Sequence, residues 1–440
     1  MTSSRPLLEL LSPEEVTSIV GEACRVLERV GVLYEHAGAR ALLADAGAEE
    51  LGGRFRVPER LVHAALASAP RRFVVYDRDG APALEMGGDA VQFDPGSAAI
   101  HRLEAGSWRR RDATTADVAA LVTLVDGLPH YAAQSTALTA SDVPREIGDR
   151  WRLFVALSLS SKPVVTGTFR VDGFAPMLAL LAAVRGGERE LRERPLALFD
   201  CCPSPPLQWS ELTAQALLDC ARAGVPATLV SMPLSGATAP VTLREAVVQH
   251  CAENLSGVVL HQLAGPGAPV TWGGAPSAFD MRQGTTPMGA VETLMIDLAA
   301  TQVGRSLGLP THAYMGLSDA KVPDYQAGLE TGIGALLAAA GGVNLVSGAG
   351  LLDYLLTQSL EKLLLDHDAC GLALRLVRGI GRHPVDTVAL IGDLVAKGSL
   401  LGHPHTRAHW RQELTVPSPS IDRATYGLSL IHISEPTRPY

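Results

Sequence analysis

The chain lacks an uninterrupted apolar run long enough to cross a membrane. Its most membrane-like uncharged segment, residues 331–352, is broken by repeated glycines, Asn344 and Ser347, which favours a buried helix followed by a strand. The N-terminus also lacks the apolar core of a signal peptide, because acidic residues occur within its first fifteen positions. We therefore expect a cytoplasmic protein without a membrane span.

Long basic runs are missing as well. Charged residues make up 19% of the chain and the formal net charge is −9, a balance that argues against a nucleic-acid partner. The six cysteines form no CxxC pair, which indicates free thiols in a reducing compartment rather than a disulfide framework.

The last thirteen residues, 428–440 (LSLIHISEPTRPY), do not continue the pattern before them. They follow no structural period and resemble a translated sequencing adapter, so we interpret them as a non-native tail. The remainder divides into a predicted N-terminal helical extension, residues 1–88, and a larger domain, residues 89–426, that ends in C-terminal helices. The extension opens with a strong helix signal, in which Ser12 is the N-cap, Pro13 the first helical residue and Glu15 the partner in a capping box.

From about residue 90, short β-rich runs alternate with helical segments. The eight runs are AVQFD (90–94), HYAAQST (130–136), PVVTGT (163–168), LALFDC (196–201), PATLVSM (226–232), PVTWGG (269–274), PTHAYMG (310–316) and VNLVSGAG (343–350). Eight strands that are each followed by a helix predict an α/β fold of the (β/α)₈ TIM-barrel type. A doubly wound open sheet is the alternative, although no GxGxxG or P-loop sequence supports nucleotide binding.

In a TIM barrel the active site lies at the C-terminal ends of the strands, so polar and aromatic residues there are candidate site residues. They are Asp94, Arg170, Asp200, Trp272, Asp280, Arg282, Tyr314, Asp319, Lys321 and Ser347. The loop SDAKVPDYQAG (318–328) is unusual because it places Asp319, Lys321 and Asp324 within six residues.

Signatures of metal and serine hydrolases are missing. No HExxH, HxH or GxSxG sequence occurs in the predicted barrel, so we predict no metal site. The histidine-rich segment GHPHTRAHW (402–410) is interpreted as a polar surface or subunit contact in preference to a metal site.

Each candidate also has a purely structural interpretation. Asp319 or Asp324 can cap the following helix, and Lys321 can pair with them in a surface ion cluster. Trp272 and Tyr314 can fill the core. Asp280 and Arg282 can hold their loop together as an ion pair. The functional interpretation gains support because all these candidates are predicted to lie at the same end of one barrel.

Several motifs resemble those of the trimethylamine methyltransferase family, in the order in which that family carries them. They are MPLSGATAPVTL (232–243), GPGAPVTWGGAPSAFDMRQG (265–284), SDAKVPDYQAG (318–328) and GHPHTRAHWRQEL (402–414). The resemblance implies a TIM-barrel enzyme that passes a methyl group from a methylated amine to the Co(I) corrinoid of a small partner protein. It implies no cofactor held permanently by this chain, and we expect a homo-oligomer.

One departure from the family pattern guides the choice of substrate. Archetypal members carry pyrrolysine, whereas this barrel contains only standard residues. Members without pyrrolysine include enzymes for quaternary amines such as glycine betaine, and many of these carry histidine where Ser347 stands here. A quaternary ammonium is already charged, so the amine leaves as a neutral molecule and the main task is to position a methyl group over cobalt.

The predicted roles follow from that chemistry. Lys321 and Asp319 are the predicted catalytic residues. Six further residues are predicted to bind substrate: Trp272, Tyr314, Arg282, Asp280, Arg170 and Ser347. Aromatic faces hold a cation without over-stabilising the ground state, and an arginine can meet a substrate carboxylate. Two alternatives remain open: a lyase or isomerase that uses Lys321 as a Schiff-base amine, and a non-catalytic protein that binds methylated amines.

Overall fold

Eight parallel strands form the centre of the molecule in the computed structural model, which describes residues 6–425. The strands are β1 (Gln92–Asp94), β2 (Gln134–Ser135), β3 (Val164–Thr166), β4 (Ala197–Cys201), β5 (Ala227–Leu229), β6 (Val270–Gly274), β7 (Thr311–Tyr314) and β8 (Leu345–Ser347). Their order in the sheet is β1-β8-β7-β6-β5-β4-β3-β2, and a parallel bridge between Phe93 and Tyr131 links the two edges. The predicted (β/α)₈ barrel is confirmed, because an open doubly wound sheet would not join its edges in this way.

Helices surround the barrel on the outside. They are α1 (Pro13–Arg29), α2 (Ala37–Asp45), α3 (Glu59–Ser68), α4 (Thr115–Asp126), α5 (Gly148–Leu159), α6 (Phe174–Arg185), α7 (Glu188–Glu193), α8 (Glu211–Ala223), α9 (Leu243–Ala264), α10 (Val291–Ser306), α11 (Tyr325–Gly341), α12 (Leu360–Val377), α13 (Thr387–Lys397) and α14 (Pro404–Glu413). A 3₁₀ turn, Arg145–Ile147, precedes α5. Within residues 6–425, no helix is long and apolar enough to cross a membrane.

Shorter strands lie outside the barrel in four small sheets and one larger one. The pairs are Leu33–Tyr34 with Gln208–Trp209, Glu49–Leu51 with Arg54–Arg56, Phe73–Tyr76 with Pro82–Met86, and Leu234–Ser235 with Ser277–Ala278. The remaining sheet contains His101–Leu103, Arg110–Asp112, Leu351–Leu352 and Thr357–Gln358.

The N-terminal helices cover the outer face of α9. The Ser12 hydroxyl accepts a hydrogen bond from the Glu15 amide and the Glu15 carboxylate accepts one from the Ser12 amide, so the predicted capping box of α1 is confirmed. The buried stripe of α1, which includes Ile19 and Leu27, then packs on α9. As a result α9 is buried along almost its whole length.

A hairpin closes the N-terminal end of the barrel. Its strands, Phe73–Tyr76 and Pro82–Met86, bring Val75, Leu84 and Met86 against barrel residues. The barrel residues in this cluster are Ala133, Val165, Leu198 and Leu345. Among the residues that the structure describes, the barrel interior is therefore open to solvent and ligands only at the opposite end, where the strands have their C-termini.

The parity of each strand decides which side chains enter the barrel. Asp200 pairs with Thr228 across β4 and β5, Tyr314 pairs with Ser347, and Ser347 pairs with Asp94. Neighbouring residues in register point to the same side of a sheet, so these side chains share the interior. His312 lies two residues before Tyr314 on β7 and therefore also faces the interior. Gly273 is in register with His312, so the preceding residue, Trp272, faces the outside.

The six cysteines are free thiols, and all except the half-buried Cys202 are buried. The predicted boundary at residues 88 and 89 stays a prediction. The predicted tail, residues 428–440, lies outside the described residues.

Candidate active site

Three side chains from β1, β7 and β8 form a hydrogen-bonded row inside the barrel. The Ser347 hydroxyl donates to Asp94 Oδ1, and His312 Nε2 lies 2.9 Å from the same hydroxyl oxygen. When Asp94 is ionised, the serine proton is donated to it, so His312 Nε2 carries the hydrogen that it donates to Ser347. The other ring nitrogen, His312 Nδ1, is then an unprotonated acceptor.

A second carboxyl group, Asp200 of β4, lies beside this row. The Tyr314 hydroxyl is 3.5 Å from Asp200 Oδ2 and 3.1 Å from both the backbone amide and the carbonyl oxygen of Ser97. Its ring meets that of His312 edge to face, with 5.2 Å between the centroids. Tyr314 therefore connects Asp200 to the loop that follows β1.

Burial makes the two carboxyl groups weak acids. It raises the pKa of Asp94 to about 7, against hydrogen bonds from Ser347 and the Gly96 amide that favour the carboxylate. Burial and the nearby charge of Asp94 together raise the pKa of Asp200 to about 8. Burial also lowers the pKa of His312 to about 3, so the imidazole is neutral. The pair can hold or release a proton close to neutral pH.

Several interior polar atoms have no hydrogen-bond partner within residues 6–425. They are Asp200 Oδ1, His312 Nδ1, Thr228 Oγ1 and Thr271 Oγ1. Buried polar atoms are nearly always paired, so an unpaired set on neighbouring strands of the barrel indicates a place for a ligand or water. Asp200 itself is half-buried, which opens this space toward the C-terminal end of the barrel.

Two glycines make room for the aromatic rings of the site. A Cβ on Gly273 would lie 2.9 Å from His312 Nδ1, and one on Gly96 would lie 3.0 Å from Tyr314 Cε1. Gly96 also has a φ of 75°, in the left-handed region that favours glycine. Larger residues at either position would displace the rings.

The predicted catalytic loop is held by its own contacts. Asp319 accepts hydrogen bonds from the amides of Met288, at 3.0 Å, and Gly289, at 2.7 Å, and burial raises its pKa to about 6. Lys321 Nζ lies 2.5 Å from the Asp319 carbonyl oxygen and 3.4 Å from Asp353 Oδ1. Asp319 thus fixes the segment before α10, and its predicted catalytic role stays a prediction.

The lysine and the second aspartate of that loop are also accounted for. Lys321 Nζ lies 4.0 Å from the centre of the Tyr354 ring, a cation–π contact at an exposed position. Asp324 caps α11 by accepting from the Ala327 amide at 3.1 Å. The structural interpretation of Asp324 is confirmed.

Trp272 lies on the outer side of the barrel wall. Its Nε1 donates to the Ala300 carbonyl oxygen of α10 at 2.9 Å, and Gly304 provides the space that its ring occupies. The side chain is 1% exposed. This placement does not favour the predicted contact with substrate, because β6 turns the indole away from the interior.

The remaining predicted residues fall into two groups. Tyr314 and Ser347 belong to the interior cluster. Arg170 is exposed and pairs with Asp172 at 2.8 Å, and Arg282 is exposed on the loop after β6. Asp280 accepts from the amides of Arg282 and Gln283, so it shapes a turn rather than forming the expected side-chain ion pair with Arg282.

Sequence reasoning placed Asp94 and Asp200 among the candidates at the strand ends but gave them no role, and it did not select His312. Asp94 and Asp200 were visible as acidic residues near the ends of apolar strands, and period-two parity within β4 places Asp200 on the same face as Leu198. His312 carried no such signal in the sequence. Within the described residues, no group of three or more histidine, cysteine or acidic side chains is arranged to hold a metal ion.

Ionisable groups gathered inside the C-terminal end of eight parallel strands define a TIM-barrel protein with a candidate active site in the usual place. The family model described as "Trimethylamine methyltransferase (MTTB)" matches residues 1–421. The chain belongs to this trimethylamine methyltransferase family.

Curated relatives cover most of the chain. The trimethylamine methyltransferase MttB of Methanosarcina thermophila is 32% identical over 433 residues, which are 96% of this chain and 88% of that protein. The MttB of Desulfitobacterium hafniense (strain DSM 10664 / DCB-2) is 31% identical over 408 residues, 91% of this chain and 82% of that protein. A glycine betaine methyltransferase of D. hafniense (strain Y51) is 28% identical over 429 residues, 96% of this chain and 88% of that protein.

Among solved structures, the monomethylamine methyltransferase MtmB of Methanosarcina barkeri has the same fold. It aligns with a TM-score of 0.60 and 13% identity, over 91% of this chain and 80% of that one. At this identity the likeness concerns the fold alone.

Proposed function

We propose that this chain moves a methyl group from a cationic methylated amine to the reduced cobalt of a corrinoid carried by a separate small protein. The observation that carries the proposal is the Asp94–Asp200 pair inside the barrel of a chain that the family model matches throughout. Relatives named for trimethylamine and for glycine betaine bracket the substrate class.

The overall chemistry sets the demands on the site. The C–N bond breaks, its electron pair stays on nitrogen, and the methyl group moves to the electron pair of the reduced cobalt. A quaternary amine leaves as a neutral tertiary amine, so no proton has to be supplied. The positive charge of the substrate disappears as the transition state forms.

Asp200 is the residue that we assign to the substrate cation. It is half-buried at the open end of the barrel and its Oδ1 has no partner within the described residues. A cation beside the carboxyl group lowers its pKa, so substrate binding releases a proton and pairs the cation with a carboxylate. As the cation is consumed, the rising pKa lets the pair take a proton back, and no buried charge is left unpaired.

The neighbours of Asp200 have positioning roles in this proposal. The Tyr314 ring offers the cation an aromatic surface, and the Ser97 backbone fixes the hydroxyl end of that ring. The row from His312 through Ser347 to Asp94 holds the second carboxyl group in place. Walls of packed strands exclude water from the transferring methyl group.

The loop residues keep more modest roles. We propose that Asp319 and Lys321 shape the rim after β7, and that Arg170 and Arg282 are the rim cations available to a substrate carboxylate. Asp280 shapes the loop that carries Arg282. Trp272 supports β6 from outside.

The proposed reaction also indicates where the corrinoid protein binds and in which compartment the chain works. The corrinoid has to approach the open end of the barrel, because the hairpin closes the other end. Free thiols throughout the chain are compatible with a reducing cytoplasm, where cobalt can be kept reduced.

A direct assay tests the proposal. The purified chain is mixed with cob(I)alamin and, in turn, trimethylamine, tetramethylammonium and glycine betaine, while cobalt absorbance and the demethylated amine are followed together. We expect one of the three to be demethylated with matching loss of the cob(I)alamin spectrum. Tight binding without transfer would support the alternative of a binding protein, and no binding at all would overturn both.

A further inference from the structure

The outer face of α12 carries only leucines at its exposed positions. Leu364, Leu365, Leu372 and Leu376 are each between 40% and 45% exposed. A helix on the surface of a monomeric protein usually presents charged and polar residues there. The inner face of α12 is by contrast polar and paired, with Lys362 Nζ 2.5 Å from Asp366 Oδ2.

The neighbouring helix α11 continues this surface. Tyr325, Leu329, Ile333 and Leu336 follow at spacings of four, four and three, so they form one exposed stripe without a charge. Lys362 of α12 donates to the Thr331 hydroxyl of α11 at 2.7 Å, which places the two helices side by side. We call the eight exposed residues of α11 and α12 the leucine face.

Helix α9 shows that another outer helix of this barrel is covered by further helices of the same chain. It is equally a wall helix of the barrel, and α1, α2 and α3 pack on it, so that it is buried along almost its whole length. No element within residues 6–425 covers the leucine face in the same way, as its exposure shows. Helix α13 is also uncovered, and none of its residues is buried by the described chain.

We infer that the leucine face is the contact between two copies of this chain, related by a two-fold axis. The eight residues are between 40% and 82% exposed, which amounts to about 700 Å² and approaches the roughly 800 Å² that each partner contributes to a stable interface. Monomers rarely expose so large an apolar patch, and contacts between identical subunits are the more apolar class. A two-fold axis lets the same patch meet itself.

The corrinoid protein is a poorer occupant for this surface. The stripes run along the barrel wall, from the end that follows β7 and β8 toward the hairpin, and not around the open end where the methyl group is transferred. A methyl acceptor also has to leave after each transfer, and such transient contacts are smaller and more polar. The inference is independent of which amine is the substrate.

Analytical ultracentrifugation of the whole chain and of single variants tests this assignment. Leu372→Glu of α12 and Ile333→Glu of α11 each place a charge in the face, once in each copy. We expect the wild type to be a dimer, or a larger assembly built from dimers, and each variant to weaken that contact at least about 100-fold. Leu51→Glu is the matched control. Leu51 is also an exposed leucine, at 56%, but it lies on the strand Glu49–Leu51, which pairs with Arg54–Arg56 and is not part of the leucine face.

Circular dichroism shows whether each variant has kept its fold. The two positions lie on different helices, so loss of assembly by either folded variant, with Leu51→Glu unchanged, supports the assignment. A monomeric wild type overturns it, and so does an assembly that neither folded variant weakens. A wild type that is monomeric until the corrinoid protein is added would show that the wrong occupant was chosen.

Discussion

The barrel interior around Asp200 and the loop around Asp319 each hold a carboxyl group whose pKa is raised chiefly by burial. Their hydrogen bonds differ. Both oxygens of Asp319 accept backbone amides, from Met288 and Gly289. Asp200 has a single long contact, 3.5 Å from the Tyr314 hydroxyl, and its other oxygen has no partner among the described residues.

In the function that we propose, this difference separates a structural carboxylate, Asp319, from the carboxylate that binds the substrate, Asp200. Each oxygen of Asp319 already accepts a backbone amide, and removing the carboxylate would leave those two amides without partners. One oxygen of Asp200 has no hydrogen-bond partner and lies near the second buried acid, Asp94, so a ligand can pair with that oxygen. A raised pKa therefore identifies a functional group here only in combination with its hydrogen bonds.

The largest expected effect is on catalysis. Asp200→Asn keeps the size of the side chain but cannot become charged, so it loses the ion pair with the bound cation and we expect KM for methyl transfer to rise by about 100-fold or more. Stopped-flow measurement of cob(I)alamin loss provides the rate. Asp297→Asn is the control, since Asp297 is a buried carboxyl group on α10, outside the barrel, and burial raises its pKa too. An equal rise in KM in the two variants would contradict the assignment.

The loop carboxylate should matter to stability instead. Asp319→Asn can accept only one of the two backbone hydrogen bonds, so we expect the free energy of unfolding to fall by about 1–3 kcal/mol. Urea titration followed by circular dichroism measures it. The kcat of the folded variant should stay within about threefold of the wild type. A variant that is stable but inactive would restore Asp319 as a catalytic residue.

The pH dependence of stability distinguishes the interior group in another way. The pKa of Asp200 rises from 3.8 in the unfolded chain to about 8, so its contribution to stability is complete below pH 4 and is lost as pH rises through 8. The free energy of unfolding of Asp200→Asn, measured relative to wild type, should therefore increase by about 3–4 kcal/mol between pH 5 and pH 8. A difference that stays flat across this range would show that Asp200 is not a raised-pKa acid.

The smallest effect is expected at Lys321. Its side chain is 57% exposed, and an exposed ion pair such as the one with Asp353 is worth less than about 1 kcal/mol. Lys321→Met should therefore retain its thermal midpoint within a few degrees and its kcat/KM within about threefold. Loss of activity in this variant, together with borohydride trapping of a carbonyl substrate on the wild type, would support the Schiff-base alternative.

The fold was accessible from sequence because its signals are local. Ser12, Pro13 and Glu15 define the start of α1 by their own hydrogen bonds, and each apolar run between glycine-terminated helices becomes a barrel strand. The site was accessible only in part, since strand parity and helix contacts decide where a side chain points. Trp272 and Tyr314 are both aromatic residues on barrel strands, yet only Tyr314 faces the interior.

Long-range contacts explain the other differences. Asp319 was selected for its dense local charge, but the amides that bind it come from the segment before α10, about thirty residues earlier. Ser347 was selected by its place at the end of a strand and by resemblance, and the structure gives it a physical context between Asp94 and His312. His312 could be recognised only after β7 and β8 were placed side by side.

Proton release on substrate binding is the measurement that tests the assignment of Asp200 most directly. Titration calorimetry at pH 7 in two buffers of different ionisation enthalpy counts the protons released when glycine betaine or tetramethylammonium binds. We expect wild type to release a substantial fraction of one proton and Asp200→Asn to release none. Binding without proton release by wild type, or equal release by the variant, would contradict the assignment of Asp200 to the substrate cation.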